Sequence, residues 1–338
     1  MGGDTQDTVL AAAFSPCGGY LTCATASGKL HIWRTDDFAA VSTARLDTCA
    51  IYAITFLQSG ATTLLASGSD EEVRVWSWDA LLSSPASPKP RLQLQNPRSS
   101  MRRGGVGPLS ETSAVSYDAA SGAMYTAAGD GNAYCWDLSA GKIVTTFSGH
   151  TDQLHCLELL PRSRQIATGS EDGSVRLWDV RTASTSHVLR PDAPPLVDRP
   201  AGKAAGGVGA GWCGCMAVDA AQNWLVAGWG GGFICSIELA TLACVACLPT
   251  AAAPQAVCFE PASKASVLSV GAEPGMYHWA LTGKLHTRAT CSSPSAFGLA
   301  ACRTAEGGPL VAVGGTSPTV DIYRELSHRA LALAVPGP

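Results

Sequence analysis

The stretch from Ser148 to Arg181, SGHTDQLHCLELLPRSRQIATGSEDGSVRLWDVR, constrains the fold of the whole chain because it is one unit of a repeat. It opens on Gly149-His150 and closes on Trp178-Asp179. Three apolar runs lie between: Leu154, Cys156, Leu157 and Leu159, then Ile166-Ala167-Thr168, then Val175, Leu177 and Trp178. The turn residues Pro161-Arg162-Ser163 and Glu171-Asp172-Gly173 separate them. A unit of this kind with a period of about 40–45 residues reads as one four-stranded blade of a propeller.

The same pattern runs the length of the chain. The residue closing the third strand of each unit is Trp33, Trp76, Trp136, Trp178, Ile237, Trp279 and Tyr323 in turn. The intervals are 43, 60, 42, 59, 42 and 44 residues. Asp70, Asp130 and Asp172 each stand six residues before their Trp. The expected fold is therefore all-β, a seven-bladed β-propeller with four antiparallel strands per blade. It forms a single domain over 8–335, with blades at about 8–46, 50–95, 111–147, 153–190, 211–247, 255–289 and 295–335. The two long intervals carry insertions rich in Pro, Ala, Gly and Ser, at 80–108 and 190–210, which read as flexible loops. RLQLQ inside the first is expected to supply the outer strand of blade two. The ring is expected to close without N-terminal strand exchange, with 1–7 disordered and HRALALAV, His328 to Val335, forming the last outer strand.

Composition narrows the functional classes. Charged residues make up 15% of the 338 and the net charge is -4, so nothing drives the whole chain toward nucleic acid or anionic membrane. No apolar run approaches the roughly 20 residues of a membrane span, and MGGDTQDTV has no signal-peptide core. The 13 cysteines sit largely at apolar strand positions such as Cys135, Cys156, Cys235 and Cys258, and read as reduced core residues. Alternation predicts one shared face for Cys213 and Cys215 but opposite faces for Cys244 and Cys247, which argues against a zinc set. The glycines of GGVGAG and GWGGG lack the following Lys-Ser/Thr of a phosphate loop, and no G-x-S-x-G is present. No catalytic residue, cofactor or metal is expected.

In blades two to four the sequence specifically resembles WD-repeat proteins. The resemblance implies that His150, Thr168, Asp172 and Trp178 form a buried hydrogen-bonded tetrad with a structural role rather than a catalytic triad. Beyond the repeat, the chain is similar to the THO complex subunit 6 family. The matching residues are HTDQLHCLELL followed by EDGSVRLWDVRTA, then Trp212-Cys213-Gly214-Cys215 with Asp219, Trp224-Leu225-Val226 and Gly228, then YHWALTGKL, VDIY and the terminal RALAL, with SPCG in blade one. The chain departs from the family in a shorter N-terminus without a leading helical segment and in an Ala/Pro/Gly-rich second insertion. The resemblance implies a non-enzymatic nuclear scaffold, bound to larger helical THO subunits, in mRNA packaging, processing and export.

Three surface features are candidates for contacts. Trp178-Asp179-Val180-Arg181 is a W-D-x-R ending of the kind found in WD-repeat receptors of cullin-RING ubiquitin ligases, so Asp179 and Arg181 are candidate contacts to the ligase adaptor; the bland alternative is a local pair between them. Arg98, Arg102 and Arg103 in NPRSSMRRGG form the one basic cluster, a candidate for weak contact with RNA or an acidic partner, or else a solvated loop. Trp78, Trp212 and Trp229 lie off the third-strand marker; they read as blade packing, with Trp229, placed in the turn of WGGG, the best candidate for a partner anchor.

Overall fold

A computed structural model of the chain describes residues 7–83, 88–100, 106–191, 211–261, 263, 265–304 and 307–337. Blade one comprises β1 (Val9–Phe14), β2 (Tyr20–Thr25), β3 (Lys29–Arg34) and β4 (Ala40–Arg45). Blade two comprises β5 (Ile51–Ser59), β6 (Thr62–Ser69), β7 (Glu72–Ser77) and, after the helix α1 (Trp78–Ser83), β8 (Leu92–Gln95). A two-stranded hairpin, β9 (Arg98–Ser100) with β10 (Val106–Leu109), follows. Blade three comprises β11 (Thr112–Asp118), β12 (Ala123–Ala128), β13 (Asn132–Asp137) and β14 (Lys142–Ser148). Blade four comprises β15 (Leu154–Leu160), β16 (Gln165–Ser170), β17 (Val175–Asp179) and β18 (Ser184–Leu189). Blade five comprises β19 (Cys213–Val218), β20 (Trp224–Trp229), β21 (Phe233–Glu238) and β22 (Ala243–Pro249). Blade six comprises β23 (Pro254–Phe259), β24 (Ser266–Gly271), β25 (Glu273–Ala280) and β26 (Leu285–Thr290). Blade seven comprises β27 (Ala296–Arg303), β28 (Pro309–Gly315), β29 (Thr319–Tyr323) and β30 (Leu331–Ala334).

Each blade is an antiparallel meander in chain order, and the molecule is a seven-bladed β-propeller with four strands per blade. The core is not central. It consists of seven apolar clusters, one between each pair of neighbouring blades. The cluster between blades seven and one contains Val9, Leu21 and Trp33 from one side and Leu310, Ile322 and Leu333 from the other, and this packing closes the ring. Among the described residues blade seven takes no strand from the N-terminal segment.

All seven marker residues lie on the third strand and are buried. Every inner strand pair carries a register shift near its start. These bulges overturn the cysteine faces expected from strict alternation, because one extra residue reverses the side-chain direction beyond it. Between Cys213 and Cys215 the shift sends Cys213 to the blade four side and Cys215 to the blade six side. A second shift in β22 pairs Ile237 with Cys244 and Cys235 with Cys247, so Cys244 and Cys247 share one face.

The first insertion is more ordered than its composition suggests. Trp78 and Leu81 of α1 are one turn apart and both buried; Trp78 meets Tyr20 edge-on at 5.5 Å and Phe56 at 5.0 Å between ring centroids. Two apolar anchors suffice to seat a short helix over the seam between blades one and two. The β9–β10 hairpin is held at its base by Asn96, whose buried amide donates to the Ser110 carbonyl at 2.5 Å and to Thr112 Oγ1 at 2.7 Å. In the second insertion Arg190 and Pro191 are described and 192–210 lie outside the described residues. Asp7, assigned above to a disordered N-terminus, is buried, and its carboxylate accepts from the Ser27 backbone N–H at 3.1 Å and from the Ser27 hydroxyl. Residues 1–6 lie outside the described set.

Candidate functional site

The polar centre of blade four is assembled from four segments. The loop between β14 and β15 carries His150, β16 carries Thr168, the turn after β16 carries Asp172, and β17 carries Trp178. His150 Nδ1 lies 2.9 Å from Asp172 Oδ2 and His150 Nε2 lies 2.8 Å from Thr168 Oγ1. Trp178 Nε1 donates to Thr168 Oγ1 at 2.8 Å. One proton arrangement satisfies all three contacts: Trp178 donates to Thr168, Thr168 to His150 Nε2, and His150 Nδ1–H to Asp172. Asp172 also accepts from Ser174 N at 2.9 Å, Ser174 Oγ at 2.5 Å and Thr151 N at 3.2 Å.

Electrostatics follow from that arrangement. Burial opposes ionisation of Asp172, but the bonds from Ser174, His150 and Thr151 outweigh it and hold the carboxyl well below the usual range. Burial lowers the His150 pKa, and the Asp172 bond pulls the other way without overcoming it. The connectivity Thr168–His150–Asp172 is that of a nucleophilic triad, yet the His150 side chain is fully buried and Thr168 is 0% exposed. A substrate has no route to the hydroxyl, and the hydroxyl's one proton is already directed at the imidazole. The arrangement ties a loop to two strands and can do little chemistry.

Half of this device recurs. The indoles of Trp76, Trp136 and Trp279 donate to Ser67 at 2.9 Å, Thr126 at 2.9 Å and Ser269 at 3.3 Å. In blade six the acid is Glu273, which accepts from the Tyr277 hydroxyl at 2.9 Å and from the backbone N–H groups of Ala251 and Ala252 at 3.1 and 3.2 Å. Glu273 stands six residues before Trp279, the offset of Asp172 from Trp178, so its role was readable but was overlooked.

The surface candidates fare differently. Trp229 ends β20 instead of lying in a turn. It is 1% exposed, stacks on Phe233 with centroids 5.7 Å apart, and donates from Nε1 to the Gly173 carbonyl at 3.1 Å. The bulge in the inner pair pairs it with Cys213 and turns it into the seam with blade four, so it is not a partner anchor. Arg181 is paired with Asp179: Nη2 meets Oδ2 at 2.8 Å and Nε meets Oδ1 at 3.2 Å. The guanidinium side chain is 65% exposed at the turn between β17 and β18. Arg98 is exposed on β9, opposite Leu109, while Arg102 and Arg103 lie outside the described residues. Among the described residues no group of three or more His, Cys, Asp or Glu is arranged to hold a metal ion. No helix there is long and apolar enough to cross a membrane.

Blades built on strand-end Trp–hydroxyl pairs, closed in a ring of seven, define a WD-repeat β-propeller. The family model for the WD domain, G-beta repeat, matches residues 2–34, 41–77 and 141–179, which fall on blade one, on β4 with blade two, and on β14 with blade four. Similarity extends well past the generic repeat. The chain is 35% identical over 273 residues to THO complex subunit 6 of Arabidopsis thaliana, covering 78% of this chain and 69% of that protein. It is 28% identical over 339 residues to THO complex subunit 6 of Homo sapiens, covering 97% and 92%, and 26% identical over 336 residues to the Danio rerio homolog, covering 97% of both. The chain belongs to the THO complex subunit 6 family.

Proposed function

We propose that this chain is a non-enzymatic scaffold subunit of a THO-type complex, acting in the nucleus in mRNA packaging, processing and export. The observation that carries the reading is end-to-end similarity to proteins named as THO complex subunits, 97% of both chains in one case. The polar centre of blade four supports the non-enzymatic part, because every proton donor in it is already committed to a buried partner. Propellers present many loops on a rigid ring, a form suited to holding protein partners, here the larger helical subunits of the complex.

The test is purification of the tagged protein from nuclease-treated nuclear extract with mass spectrometry of what accompanies it. Large helical THO subunits retained after nuclease treatment support the reading; their absence overturns it. The ligase-receptor alternative is subordinate, since the cation it needs is already paired with Asp179. Loss of adaptor binding in Arg181→Ala would revive it. Any contact of Arg98, Arg102 and Arg103 with RNA is proposed as weak and electrostatic, and replacing all three by Ala tests it through a reduced salt dependence of binding.

A further inference from the structure

The outer edge of blade five, facing blade four, carries a cluster of thiols that the scaffold reading does not use. A groove of about 500 Å³ runs between the outer strands, walled by Val188 and Leu189 on one side and Val245 on the other, with Cys235, Cys244 and Cys247 among its lining residues. The β22 bulge creates the cluster. Without it Cys244 would face away; with it, Cys244 and Cys247 both stand over the face of β21 that carries Cys235. Cys247 is directly opposite Cys235 in the ladder and Cys244 is opposite Ile237, two residues along. Cys244 Sγ donates to the Ala246 carbonyl at 3.5 Å. Cys235 is buried, Cys247 half-buried and Cys244 exposed.

We propose that these three residues form a peroxide-responsive modification site, with Cys244 the reacting thiol and Cys235 the resolving thiol. The Cys244 thiolate attacks one oxygen of a hydroperoxide; the O–O bond breaks, the leaving oxygen departs as water or alcohol after protonation, and Cys244 becomes a sulfenic acid. The Cys235 sulfur then attacks the Cys244 sulfur. An S–S bond forms, the S–O bond breaks, and the hydroxyl leaves as water with the proton lost from Cys235. Two thiols lose two electrons, and the peroxide gains them.

Three observations assign the roles. Cys244 alone of the three is exposed. The neighbouring Cys235 thiol outweighs burial and lowers the Cys244 pKa to about 7, the condition for a populated thiolate. Cys235 is pushed the opposite way, by its contacts with Cys244 and Cys247 and then by burial, so it keeps its proton until the sulfenic acid is formed. Cys17 is a natural comparator in blade one, an exposed thiol whose pKa is also lowered, by a hydrogen bond from Ser15.

Glu238 lies between Cys235 and Cys244, so cleavage after glutamate separates them into peptides that only a disulfide can join. The experiment is brief treatment of the full chain with hydrogen peroxide, alkylation of remaining thiols, digestion after glutamate and mass spectrometry without reduction. The expected result is a peptide ending at Glu238 linked to the peptide beginning at Leu239, retained in Cys247→Ser and lost in both Cys244→Ser and Cys235→Ala. Far-ultraviolet circular dichroism matching wild type confirms that the variants are folded. Survival of the link in folded Cys244→Ser overturns the proposal, as does wild-type protein in which peroxide modifies Cys17 while Cys244 and Cys235 remain fully alkylatable.

Discussion

His150 shows what a single residue does in this ring. It joins a loop to β16 and to the turn after it through two hydrogen bonds, and His150→Ala leaves the Asp172 carboxylate and the Thr168 hydroxyl each short of a partner inside the protein. A loss of about 2–3 kcal/mol is expected. Thermal unfolding should shift down by several degrees, with partner binding retained at lower temperature. His31 makes a different prediction. It is buried, stacks on Trp33 and bonds Thr43 at 3.0 Å through Nδ1, while its Nε2 has no partner. Burial, countered in part by Asp7, lowers its pKa to about 4. The unfolded chain binds this proton below about 6.5, and the folded chain does not until about 4. The stability contributed by neutral His31 is therefore full above 6.5 and declines as pH falls toward 4. Melting temperatures recorded across that window should fall with pH, and His31→Phe should flatten the fall. Asp172 acts in the same direction but only below the ordinary carboxylate range near 4, so the two contributions separate.

At the scale of elements, what was legible in the sequence was whatever repeats. Trp33, Trp76, Trp136, Trp178 and Trp279 gave the blade count directly, and Ile237 and Tyr323 followed from spacing. What escaped was anything set by one extra residue. Alternation misplaced Cys213, Cys215, Cys244 and Cys247, because a bulge leaves no compositional mark when its extra residue is an ordinary Gly or Val. Trp229 was misread for a related reason: the glycines after it suggested a turn, whereas the turn begins one residue later. The helix α1 was hidden by the Pro- and Ser-rich chain that follows its two apolar anchors. The hairpin after it is fastened by Asn96, and this can be tested. Asn96→Ala should cost about 1–3 kcal/mol, seen as a lower melting temperature. Replacing the residues between Asn96 and Ser110 with a short Gly/Ser linker should leave that temperature nearly unchanged, since loop-closure entropy changes only slowly with loop length.

At the scale of the molecule, stability resides in seams. Seven apolar clusters hold seven blades, and a blade deprived of one seam or one edge strand has no reserve elsewhere. Removal of residues 328–338 takes away β30 and uncovers the edge of β29, whose backbone groups are then open to pairing with another chain. Size-exclusion chromatography should show the truncated protein as larger species than the full chain; a truncation that elutes no earlier than the full chain would mean that the rim strand is dispensable.

The two described ends of the chain come together at one turn of blade one: Asp7 binds Ser27, and the Gly337 carbonyl accepts from Lys29 Nζ at 2.7 Å. Each sheet, moreover, is a continuous run of sequence with no strand borrowed from elsewhere among the described residues. The cut point of the polypeptide is thus topologically interchangeable with any other gap between blades. Joining the old ends by a short peptide and opening new ones between blades four and five should yield a circular permutant of the same architecture, with the surface loops in unaltered spatial order and only the order of synthesis changed.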